Sequence, residues 1–114
     1  ENRSLDVLQP DLGTCGGISE GKKICDMAHA YDMTIQAHVC GSPIAKAAAL
    51  HLETAIPNFI IHEHHRIQLL SGNVELCEYD YQPVNGKYTV PELPGIGQEL
   101  TNKAYDLADK VVVK

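Results

Sequence analysis

Hydrophobic and polar positions follow two alternating periods along the first half of the chain. Leu5 to Gln9 is a short, largely apolar run that stops at Pro10-Asp11, the pattern of a buried strand whose C-terminal end carries a carboxylate. Gly13 to Gly17 supply a loop. From Ile18 to Tyr31 the residues Ile18, Ile24, Cys25, Ala28 and Tyr31 recur at spacings near three, four and seven, as one buried helix face requires. The pattern then repeats. Met33 to Ala37 predicts a second short strand ending at His38, followed by the loop Val39-Cys40-Gly41. Ser42-Pro43 is a helix start: serine can accept a hydrogen bond from first-turn amides, and proline at the first helical position gives up no bond. The alanine-rich helix from Ile44 to about Ala55 stops before Pro57, and a third strand, Phe59 to His62, ends at Glu63.

Strand and helix alternating with short loops predict an α/β fold with a parallel sheet and right-handed crossovers. Three strands and two crossover helices cannot close a barrel, because a (β/α)₈ barrel takes about 250 residues. Apolar sheet edges are therefore expected to be exposed if the chain stands alone. After Arg66 the pattern becomes irregular. Asn85-Gly86 is a tight-turn dipeptide within an expected small antiparallel element, Pro94-Gly95-Ile96-Gly97 is a further turn, Gln98 to Asp109 has helical character, and Val111-Val112-Val113 is a candidate edge strand.

Composition narrows the function classes. A chain of 114 residues with 44% apolar content can fold as one small domain. The net charge of −6 comes from acids scattered among lysines, with no basic stripe to track a phosphate backbone, so nucleic acid is not an expected partner. No apolar run is long enough to span a bilayer, and Glu1-Asn2-Arg3-Ser4 lacks the order of a signal peptide, which reads as a soluble, cytoplasmic protein without membrane association. Cys15, Cys25, Cys40 and Cys77 form no C-x-x-C pair, so free thiols are expected, with Cys25 a small buried hydrophobe.

Chemistry enters through position. Asp11, His38 and Glu63 each stand at the C-terminal end of a predicted parallel strand, and in a parallel barrel those ends share the rim that carries active sites. An aspartate bonded to one ring nitrogen fixes the histidine tautomer and leaves the other nitrogen to take or give a proton; Glu63 could bond a substrate oxygen. Plainer roles compete: Pro-Asp after a strand is often only a turn. The run His62-Glu63-His64-His65 is no zincin, since H-E-x-x-H would need histidine where Arg66 stands. Strand alternation sends His62 and Glu63 to opposite faces, so they are not expected to share a metal. His51 falls in the helix as a partly exposed packing residue.

The stretch Asp6-Val7-Leu8-Gln9-Pro10-Asp11, then Gly16-Gly17-Ile18 and a helix, then Ala37-His38, resembles the sixth and seventh strands of the mandelate racemase/muconate lactonizing branch of the enolase superfamily. Gly41-Ser42-Pro43-Ile44 and Pro57-Asn58-Phe59-Ile60-Ile61-His62-Glu63 resemble its seventh helix and eighth strand, and Gly86 to Gly97 resembles its closing segment. Gly-Ser-Pro and Pro-Asn look most like galactonate dehydratase and related acid-sugar dehydratases. The resemblance implies the C-terminal portion of a (β/α)₈-type barrel: residues 1–66 as its last three βα units and 67–114 as a tail returning to an N-terminal capping domain. It implies a lyase in which His38 removes the proton next to a sugar-acid carboxylate, Asp11 orients His38, Glu63 stabilises the enediolate oxygen beside Mg²⁺, and β-elimination of water follows.

The magnesium ligands of that family lie on its third, fourth and fifth strands, so no metal or cofactor ligand is expected in this chain. Partners expected are the small-molecule sugar acid, the missing N-terminal part of the same enzyme, and further copies in a homo-oligomer; the chain alone is expected to be inactive. A racemase, epimerase or cycloisomerase starting from the same enediolate is the alternative within the superfamily, and a non-catalytic small α/β binding module is the alternative outside it.

Overall fold

The computed structural model describes residues 4–112. Two short parallel strands, β1 (Val7–Leu8) and β2 (Thr34–Ile35), pair with Val7 opposite Thr34 and Leu8 opposite Ile35. Backbone hydrogen bonds extend the same ladder beyond both strands: the N–H groups of Thr34, Gln36 and His38 donate to the carbonyls of Asp6, Leu8 and Pro10, each at 3.1 Å. The third predicted strand is reduced to a parallel bridge between Ile35 and Phe59, with Ile35 N–H on Asn58 O at 2.8 Å and Ile60 N–H on Ile35 O at 3.0 Å. The expected order of three parallel segments is present, but each ladder is shorter than the apolar runs suggested. A strand at an open edge has backbone partners on one side only. The cost of that edge is visible in Val7, Phe59, Ile60 and Ile61, all exposed as expected for a sheet lacking neighbours.

Helix α1 (Gly17–His29) begins at Gly16, whose φ of 107° suits a residue without a Cβ. Exposed Lys22–Asp26 and Lys23–Glu20 pairs line its outer face. Its buried stripe is Gly21, Cys25 and Ala28, which differs from the expected one. Ile18 and Tyr31 are exposed, because Ile18 sits in the first turn and the helix has already ended before Tyr31. The chain reverses at Asp32, whose φ is 57°. Small residues on the buried stripe let α1 settle on Leu12, Ile35, Leu52 and Ile56, the main core. A Cβ added at Gly21 would lie 2.4 Å from Leu12 Cδ2.

Helix α2 (Pro43–Thr54) starts where predicted, with proline in its first turn. Ser42 adopts the extended capping conformation, but its side chain makes no cap hydrogen bond, contrary to expectation; its carbonyl accepts from Lys46 N–H instead. Helix α2 is buried on two sides. One side presents Leu52 to the α1 core, and the other presents Glu53 to His62 and Lys46 to the segment that follows the sheet.

That segment holds a 3₁₀ turn (Arg66–Leu69), a single helical turn α3 (Ser71–Val74) and a short helix α4 (Asn102–Leu107) capped by the Thr101 hydroxyl, which accepts from Ala104 N–H. The expected antiparallel element consists of the Val84–Lys87 bridge, closed by Asn85 (φ 51°) and Gly86 (φ 73°) as in a type I′ turn, and a second bridge between Cys77 and Leu100. Helix α4 is shorter than the pattern from Gln98 to Asp109 implied. Val111 and Val112 are exposed and pair with no strand among the described residues, so no edge strand forms there; Val113 lies outside the described residues. The segment docks on α2 through Lys46 Nζ to Tyr81 O (2.9 Å) and His51 Nε2 to Ile96 O (3.2 Å). Among the described residues no helix is long and apolar enough to cross a membrane.

Candidate active site

The parallel ladder fixes what meets at its C-terminal end. Val7 pairs with Thr34 and Leu8 with Ile35, an offset of 27 residues, and the same offset carries Asp11 to His38. The two side chains meet: His38 Nδ1 lies 2.7 Å from Asp11 Oδ2. The other carboxylate oxygen, Oδ1, accepts from Gly13 N–H at 2.7 Å. Asp11 is thus held at both oxygens. With Nδ1–H donated to the carboxylate, Nε2 is the nitrogen left to exchange a proton. The His38 side chain is 45% exposed against 27% for Asp11, so the imidazole faces outwards and its partner sits behind it.

The electrostatics follow from this contact. The hydrogen bond to Asp11 raises the His38 pKa above its ordinary value, and the Glu63 carboxylate adds to the effect. The same bond, helped by the Gly13 amide, lowers the pKa of Asp11. Each partner favours the charged form of the other.

Glu63 is engaged one peptide further along. The bridge between Ile35 and Phe59 has an offset of 24, and that offset carries Val39 to Glu63, whose Oε2 accepts from Val39 N–H at 2.5 Å. Asp11 and His38 line a cavity of about 240 Å³ together with Leu12, Thr14 and Cys40. The structure therefore joins Asp11 to His38 directly and ties Glu63 to the peptide that follows His38.

His62 turns the other way, as strand alternation predicted. Its Nδ1 lies 2.6 Å from Glu53 Oε2 on α2, with the two side chains only 7% and 3% exposed. Tyr88 stands edge-on to the His62 ring at 4.6 Å and hydrogen-bonds His64 Nδ1. Burial, reinforced by the charges of Asp80 and Glu53, pushes the Tyr88 pKa up to about 12. His51 is half-buried, Cys25 is fully buried, and all four cysteines are free thiols.

Among the described residues no three His, Cys, Asp or Glu side chains converge so as to hold a metal ion, and both oxygens of Asp11 are already occupied. The residues present do not fit a magnesium site.

Sequence reasoning passes over Glu53, Gln68 and Asn73. Glu53 carries a signal, since Lys46, Leu50 and Glu53 recur at helical spacing on one stripe, which marks the polar pair as inward-facing. Gln68 and Asn73 carry no periodic signal.

Residues 1–104 match the family described as Enolase C-terminal domain-like. The chain belongs to that family. Within it, 100 residues are 37% identical to a D-xylonate dehydratase of Haloferax volcanii, covering 88% of this chain and 24% of that protein. A solved member of the enolase superfamily from Salmonella Typhimurium is 63% identical, with a TM-score of 0.91, over 97% of this chain and 28% of that one. A mandelate racemase/muconate lactonizing enzyme from Jannaschia sp. CCS1 is 29% identical, with a TM-score of 0.80, over 96% of this chain and 28% of that one. The chain thus spans about a quarter of the length of these enolase-family relatives.

Proposed function

We propose that this chain supplies the acid/base end of an acid-sugar dehydratase, a hydro-lyase, and that the remaining parts of the active site lie in other segments of a longer enzyme. The observation that carries the proposal is the 2.7 Å contact between Asp11 and His38, set by strand register at the end of a parallel ladder. The D-xylonate dehydratase relative supports the reaction class. On this reading residues 1–66 are the last three βα units of a (β/α)₈ barrel, and residues 67–114 form a tail that also reaches a capping domain. The exposed apolar edge at Val7 and Phe59 to Ile61 is what the rest of a barrel would cover, and it disfavours a free-standing binding module.

His38 Nε2 takes the proton from the carbon next to the substrate carboxylate, and the electron pair left behind moves into the carboxylate as an enediolate. Asp11 stabilises the imidazolium so formed, and a proton raised in affinity by that carboxylate is held until it is needed. For Glu63 to stabilise the oxygen on which charge develops it must act as an O–H donor, since an ionised carboxylate only accepts. The pair then returns to form a carbon–carbon double bond as the bond to the neighbouring hydroxyl breaks, and that hydroxyl leaves as water with a proton from a general acid. Magnesium, which the superfamily generally uses, finds no ligand set among the described residues and would be held by other segments of the longer enzyme.

The test is a screen of the full-length enzyme against five- and six-carbon aldonic acids, including D-xylonate and D-galactonate, with exchange of the substrate α-proton in D₂O as the readout. His38→Asn should abolish exchange while magnesium binding persists. Exchange that continues in that variant removes His38 from the base role. Racemised substrate without loss of water would move the enzyme to the racemase alternative.

A further inference from the structure

The loop that carries His38 is not held by its own strand alone. Val39, the residue after His38, has both ends of its backbone occupied by groups from later in the chain: its N–H donates to Glu63 Oε2 at 2.5 Å, and its carbonyl accepts from Gln68 Nε2 at 2.8 Å. Two residues further on, Gly41 O accepts from Asn73 Nδ2 at 3.1 Å. Gln68 is itself only 1% exposed and is anchored in turn, since Gln82 Nε2 donates to its carbonyl at 3.1 Å. The loop from His38 to Gly41 is therefore pinned at three points, two of them supplied by the segment after the sheet.

Burying a glutamine this completely is costly unless its polar atoms are used. Gln68 uses its amide nitrogen on Val39 alone, while its side-chain oxygen is buried without a partner. A residue serving only to fill space would be better as leucine or methionine. The retained amide has a geometric role. It fixes the Val39–Cys40 peptide plane, the next one after the His38–Val39 peptide that Glu63 holds, which limits how far the His38 loop can shift from Asp11.

We propose that Gln68, with Asn73 behind it, is a positioning residue for His38, so that the C-terminal segment acts as a clamp on the loop of the catalytic base. The proposal rests on the reading of His38 as base. Because a misplacement of about 1 Å can cost about a hundredfold in rate, a loosened loop should be read mainly in kcat.

The experiment uses the full-length enzyme and the aldonic acid it turns over fastest. Gln68→Met keeps length and bulk but removes the donor. His51→Leu serves as the control, because it deletes a contact between α2 and Ile96 of the tail, away from the loop. Gln68→Met is expected to lower kcat by about tenfold with KM changed by no more than about twofold. In NMR titrations of the substrate-free enzyme, with the His38 resonance identified by its loss in His38→Asn, the imidazole pKa should drop towards its ordinary value as the bond to Asp11 loosens. His51→Leu should leave both readouts in place even if it lowers Tm as much.

Should Gln68→Met fold poorly, Asn73→Ala removes the outer pin and is expected to lower kcat by about threefold in the same pattern. Unchanged kcat and an unchanged His38 titration in folded Gln68 and Asn73 variants overturn the clamp, as does an equal loss in His51→Leu. Retained α-proton exchange in His38→Asn is a different failure: it overturns the base reading and any catalytic consequence of Gln68, while the titration still decides whether Gln68 holds the loop.

Discussion

Glu53 and His62 form a buried hydrogen bond of 2.6 Å, so that a side chain of helix α2 fixes the residue before Glu63 from the opposite face of the same extended segment. Removing either partner leaves the other without its bond in the interior. Glu53→Leu is expected to lower stability by about 3 kcal/mol, and His62→Leu by a similar amount. The double replacement by leucine at both positions should cost less than the two single changes added together. Urea unfolding of the four proteins of that cycle is the measurement, and simple additivity would mean that the two groups do not support each other.

Asp11→Asn should return the His38 imidazole to near its ordinary value of 6.5, seen as a titration midpoint moving to lower pH in NMR. In the wild type the two groups respond to pH in opposite directions. The raised His38 contributes stability that is present below pH 6.5 and is lost as pH rises through its folded value. The lowered Asp11 contributes stability that is present above its ordinary 3.8 and is lost as pH falls through its folded value. The pair therefore stabilises the fold most between those limits, and Asp11→Asn should flatten the stability profile across that window. A profile unchanged by the substitution would count against the contact.

Asn58 stitches three elements together. Its Nδ2 donates to Cys25 O at 3.1 Å and Met33 O at 2.9 Å, while its backbone carbonyl accepts from Ile35. Asn58→Ala strips one buried and one part-buried carbonyl of this donor and should cost about 2 kcal/mol. The substitution leaves every residue of the site in place, so activity at low temperature should survive while Tm falls. Loss of activity without loss of Tm would show that the stitch does something other than hold the fold.

The isolated 114-residue chain is expected to bind no magnesium and to turn over no aldonic acid. Titration calorimetry with MgCl₂ should give only dilution heat, and EDTA should leave the Tm where it was. A magnesium-dependent rise in Tm would point to a ligand set within this chain after all.

Much of the local order is legible in the residues. Pro43 fixes the start of α2, Asn85-Gly86 sets its turn, and the step from Asp11 to His38 equals the strand register that brings the pair together. Strand length is less legible, because apolar runs such as Phe59 to His62 report burial in a complete sheet, whereas a ladder needs a neighbour to bond. The face of α1 departs from its pattern at Ile18 and Tyr31 because hydrophobic spacing does not tell a stripe from the residues at its ends. Gln68 and Asn73 stay hidden for another reason, and the spacing that marks Glu53 as inward-facing does not name its partner. Each makes its decisive bond to a partner distant along the chain, from 9 to 32 residues away, and no local pattern encodes such a meeting.

The offsets of 27 and 24 residues have a consequence for how such a chain can change. Lengthening α1 or the loops around it would alter the count between Asp11 and His38 yet leave the two side chains facing, because the ladder and not the connection sets their distance. A slip of one position in the ladder, with every loop intact, would instead present Ala37 or Val39 to the carboxylate. Insertions between the strands should thus be tolerated in descendants of this sequence, and single-residue insertions within Asp6 to Pro10 or Thr34 to His38 should not.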